Sequence, residues 1–88
     1  MSLRSCSTFL IPVVDVAGSI AKARTAILNA GGTINGDDEQ GRFSGDSPLG
    51  KIEGTYATFA DSIAVTILRK PIMVSCSVIR DRVRGYFG

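Results

Sequence analysis

Histidine is absent from this chain of 88 residues. That removes the commonest general base and the commonest metal ligand, and it excludes serine–histidine and cysteine–histidine dyads. An enzyme built here would have to use carboxylates, tyrosine or cysteine without histidine. Gly45-Asp46-Ser47-Pro48-Leu49-Gly50-Lys51 fills the first seven places of a phosphate-binding P-loop, but the eighth is Ile52 where Ser or Thr would reach magnesium. Residues 50–58 also alternate as a strand, where a P-loop opens into a helix whose N-terminus holds phosphate. The segment therefore reads as a glycine-and-proline turn. Asn35, Asp37 and Glu39 alternate like the start of a calcium loop, yet the glycine falls at 41 and no glutamate closes the loop. They read as a solvated acidic turn. Nothing in the spacing of Asp46, Glu53 and Asp61 brings two carboxylates together. No catalytic residue, metal ligand or cofactor is expected.

Cys6 and Cys76 are too few for a disulfide framework. Cys6 is expected at the start of a strand and Cys76 on the inner face of a helix. The expectation is two reduced thiols, one of them a small core hydrophobe, with a single bridge as the alternative.

Charge is the most informative polar feature. Net charge is +2, but residues 1–68 balance at −2 and residues 69–88 at +4. Arg69 and Lys70 precede the last predicted helix, which carries Arg80 and Arg84 one turn apart and Arg82 on a neighbouring face. These five are the candidate partner-binding residues, suited to an acidic protein patch or an anionic surface. Modules for nucleic acid usually add exposed aromatics or a recognised motif. Phe9, Phe43, Tyr56, Tyr86 and Phe87 fit core positions, leaving only Phe59 to be exposed, which argues against nucleic acid.

The elements that would position these groups follow from periodicity. Ser7–Val14 predicts a strand with Phe9, Ile11 and Val13 on one face, and Pro12, which cannot donate to a ladder, places it at a sheet edge or breaks it there. Asp15 is an N-cap, and Val16, Ile20, Ala23, Ile27 and Ala30 recur at helical spacing. Gly31-Gly32 stops that helix. Short strands follow at Thr33-Ile34-Asn35 and Gln40–Ser44, the latter with Phe43 inward. Gly45–Leu49 reads as a connection. Gly50–Thr58 and Ile63–Leu68 alternate as an antiparallel hairpin with one wet face. Pro71 opens a second helix over 72–87, with Ile72, Cys76, Ile79 and Val83 inward.

The predicted order is β-α-β-β-β-β-α. The fold class is α+β, a two-layer sandwich in which four or five antiparallel strands carry both helices on one face. Residues 1–88 form one domain, with 1–7 expected to be disordered or vector-derived. The longest apolar runs, Phe9–Val14 and Ile63–Leu68, are strand-sized, well short of the roughly 18–20 residues of a membrane span. Phe9–Val14, broken by Pro12, is too short for a signal-peptide core. A cytoplasmic location is expected, and an exposed sheet edge could pair between chains as a homodimer.

With these elements placed, the run Phe43-Ser44-Gly45, Gly50-Lys51-Ile52-Glu53-Gly54, Ile63-Ala64-Val65-Thr66-Ile67 and Lys70-Pro71, followed by a helix with Ile79 and Val83, resembles small bacterial polyhydroxyalkanoic-acid system proteins. The likeness spans residues 8–87. It implies an accessory role at a polymer granule and supplies no catalytic residues. The first expectation is thus a non-enzymatic interaction domain that binds a protein, or a polymer or lipid surface, through the second helix or an exposed sheet face. The alternative is a small apolar ligand held in a groove between sheet and helices, with Gly54 and Ala64 providing the space.

Overall fold

The computed structural model describes residues 6–47 and 50–87. The chain runs β1 (Cys6–Pro12), α1 (Val16–Asn29), β2 (Thr33–Gly36), β3 (Gln40–Ser47), β4 (Gly50–Thr58), β5 (Ser62–Arg69) and α2 (Cys76–Phe87). This is the predicted order. All neighbouring strands are antiparallel, in the order β1-β5-β4-β3-β2. β1, with Pro12, is an edge strand as its sequence requires. Cys6 and Ser7 belong to this strand; the remainder of the expected disordered leader, residues 1–5, lies outside the described residues.

Local chemistry sets the limits of α1. Asp15 has an extended backbone and its carboxylate accepts the Gly18 N–H at 3.1 Å, satisfying one of the donors orphaned at a helix start. At the other end the Gly31 N–H reaches the Leu28 carbonyl and the Gly32 N–H the Ile27 carbonyl, at 3.1 and 2.9 Å. Gly31 sits at φ +85°. This crossed pair is a Schellman stop, and the left-handed residue in it favours glycine.

Strand parity divides the sheet into two surfaces. Ile11, Ile34, Phe43, Tyr56, Ile63, Val65 and Ile67 face inward and are buried. They share one core with Ile20, Ala23 and Ile27 of α1 and Ile79, Val83 and Phe87 of α2. Both helices therefore cover the same face. Thr8, Thr33, Ser44, Thr55, Ala57, Ala64 and Thr66 fall on the other face, where hydroxyl pairs Thr8–Thr66 and Thr33–Ser44 meet at 2.6 and 2.7 Å.

Four expectations are corrected. Gly45 and Asp46 are not in a connection: β3 continues through them, opposite Ile52 and Lys51, and residues 48–49 lie outside the described residues. The second helix begins at Cys76, not 72, and Ile72 is exposed. Ser75 is the reason. Its Oγ accepts the Val78 N–H at 3.4 Å and its carbonyl the Ile79 N–H at 3.2 Å, so the helix is capped there. Cys6 and Cys76 are not reduced thiols but a disulfide, with Cα atoms 5.7 Å apart. Cys76, moreover, is exposed at the helix start and does not lie on its inner face. The bridge ties β1 to the first turn of α2.

Candidate functional site

A cavity of 320 Å³ opens between the sheet and the C-terminal half of α1 on one side and α2 on the other. Its floor is built by β3 and β4. Phe43 and Ile52 supply apolar surface, and Gly45, in phase with Phe43 on the inner face, supplies space: a Cβ there would meet no atom within 4 Å. Ile27 and Ala30 form one wall. Val78, Ile79, Val83 and Tyr86 form the other, and Val74 closes the end nearest the disulfide. Arg82 and Tyr86 add the polar side chains of the lining, while Ser44 and Asp46 border it from a strand that turns their side chains to the other face.

The space does not come from Gly54 or Ala64. A Cβ on Gly54 would lie 2.6 Å from Cζ of Phe43, so that ring already occupies the gap. Ala64 is on the opposite face of the sheet, bordering a broader, more polar hollow with Arg42, Thr55 and Thr66. Sequence reading missed Gly45 because the segment was taken as a turn. Extending the alternation of β3 two residues past Phe43 would have placed it inward.

The five basic residues separate. Lys70 is buried at 7% exposure, and its ammonium donates to the Val74 carbonyl at 2.6 Å and the Pro71 carbonyl at 3.3 Å. It holds the turn before α2 and is not available to a partner. Arg69 is exposed at the end of β5. Arg80, Arg82 and Arg84 are exposed on α2. Two residues along a helix turn the side chain through roughly 160–200°, so Arg82 lies on the groove side of the buried stripe while Arg80 and Arg84 lie on the opposite flank. None of these arginines is in an ion pair among the described residues.

The acidic turn is a folded device. The Asp37 carboxylate accepts the N–H groups of Glu39 and Gln40, both at 2.9 Å. The bond from Gln40, then that from Glu39, holds its pKa below the usual value. Tyr56 donates its hydroxyl to the Asp37 carbonyl at 2.7 Å, and burial raises its pKa against the opposing charge of Arg24. No group of three or more Cys, Asp or Glu able to hold a metal comes together among the described residues. No described helix is long and apolar enough to cross a membrane. Compared with known proteins, the chain matches no family model, no curated protein and no solved structure.

Proposed function

We propose that this chain is a binding module that holds a small apolar ligand in the groove between β3–β4 and α2. The observation that carries this reading is the cavity itself. Its 320 Å³ is at the lower end of the range for small-molecule sites, about 300–1,000 Å³. Its lining is mostly aliphatic and aromatic, and a few polar groups stand at its margin, the usual composition of such sites. Gly45 supports it further. An inward glycine with nothing above it leaves a floor uncovered in a chain small enough to need every apolar contact.

The neutral fluorophore N-phenyl-1-naphthylamine tests the reading. The native protein should bind it at one site with enhanced emission. Gly45→Leu should fill the floor and weaken binding at least tenfold, while the melting temperature is kept or raised. Absence of binding, or equal binding by the filled variant, would refute the reading.

A second reading is capture of an acidic protein, or of an anionic polymer or lipid surface, by Arg80 and Arg84. Their exposure on the flank of α2 away from the groove favours it. Charge reversal at both positions should then abolish capture and leave fluorophore binding intact.

A further inference from the structure

We propose that the ligand of this groove is a single-chain amphiphile with a carboxylate head, and that Arg82 receives the head. The inference rests on the groove reading above and adds the ligand's class.

Size sets the tail. A methylene fills about the space of a water molecule, roughly 30 Å³, so 320 Å³ holds a chain of about ten carbons. The walls suit such a chain, being Ile27, Phe43, Ile52, Val78 and Val83 along most of their length. Val78, in the lining, is also half exposed and leaves apolar surface in water beside the groove.

Charge sets the head. Among the described residues Arg82 is the only cation of the lining and has no ion-pair partner, and it stands exposed on the groove side of α2. A guanidinium above apolar surface pairs with a carboxylate through two parallel N–H···O bonds. Such a bond gains strength where the ligand body excludes water from one side. The α2 lip, where Arg82 stands, is therefore the place for the head. A single guanidinium also favours a monoanion over a dianionic phosphate. The arginines on the far flank, Arg80 and Arg84, cannot take part, because the helix body separates them from the cavity.

The test displaces bound N-phenyl-1-naphthylamine with four ten-carbon chains: decanoate, 1-decanol, decyltrimethylammonium and decyl phosphate. Each is used below the concentration at which it aggregates. Decanoate should displace the probe at about a tenth of the concentration needed for decanol, and the cation should be weakest. Arg82→Gln should bring decanoate to the level of decanol without changing decanol itself. Arg84→Gln should leave the ranking as it is. Equal displacement by decanoate and decanol in the native protein would overturn the proposal, as would an effect of Arg84→Gln as large as that of Arg82→Gln. Decyl phosphate displacing the probe more strongly than decanoate would overturn the assignment of a carboxylate head. If decanol binds and only the head preference is missing, the groove reading survives. If the probe never binds, both fail.

Discussion

Tyr56 and Asp37 meet at a turn where one side chain organises the backbone and the other locks it to the sheet. Asp37 gathers two N–H groups onto its carboxylate, and Tyr56, its ring buried, donates to the carbonyl of the same residue. The pH dependence follows from the direction of the shift. A carboxylate with a lowered folded pKa stabilises the native state above its unfolded pKa, and this contribution is lost as pH falls through the folded value. Asp37, lowered from 3.8, therefore contributes fully near neutrality and loses its contribution below the ordinary carboxylate range. Asp37→Asn should be less stable than the native chain at pH 7, with the gap closing as pH falls below that range. Urea titrations across that interval check this; a gap independent of pH would show that the charge is not used.

α2 is held by two kinds of restraint at its ends. At the N-terminus, Ser75 caps the first turn, Lys70 fastens the preceding carbonyls and Cys76 is bonded to Cys6 across a sequence separation of 70. Closing a loop of that length removes chain entropy from the unfolded state worth about 4 kcal/mol in the simple model. Cys6→Ser with Cys76→Ser should therefore lower unfolding free energy by roughly that amount. Hydrogen exchange should quicken at residues 71–79 more than in β3 or β4, because the helix start loses its tie while the sheet keeps its ladder. A melting temperature that does not respond to reductant in the native protein would show that the bridge is absent in solution. Val74 and Val78 flank Cys76 and line the groove, so the bridge also fixes one wall of the candidate site.

Over the whole molecule, the two helices and the sheet share a single core that closes on its last described residue. Phe87 is fully buried, and its ring lies 5.8 Å from those of both Phe43 and Tyr56. A chain of 88 residues has total stability on the order of 4–13 kcal/mol. Truncating a buried phenylalanine costs about 3–5 kcal/mol. Phe87→Ala should thus remove a large part of the stability, measured by urea unfolding at neutral pH; a loss under about 1 kcal/mol would mean that the ring is not packed as described. The same packing explains why the groove lies where it does. Phe43 covers Gly54 and Phe87 covers the sheet centre, so the uncovered floor is displaced to Gly45, toward the end of β3.

Much of the fold was legible because its signals are local. Alternation at Ile52-Gly54-Tyr56 and Ile63-Val65-Ile67 assigned faces, Pro12 marked an edge, Asp15 opened α1 and Gly31 closed it. Each signal depends on the period of a strand or helix, or on the chemistry of a cap, within a few residues. The start of α2 was misread where two local signals competed, and the cap at Ser75 prevailed over Pro71. The pairing of Cys6 with Cys76, the burial of Lys70 and the open floor at Gly45 were decided by tertiary structure. The bridge and the floor depend on atoms far apart in the chain, and periodicity carries no information about such distances. Lys70 finds its acceptors within four residues, but its burial follows no period of strand or helix.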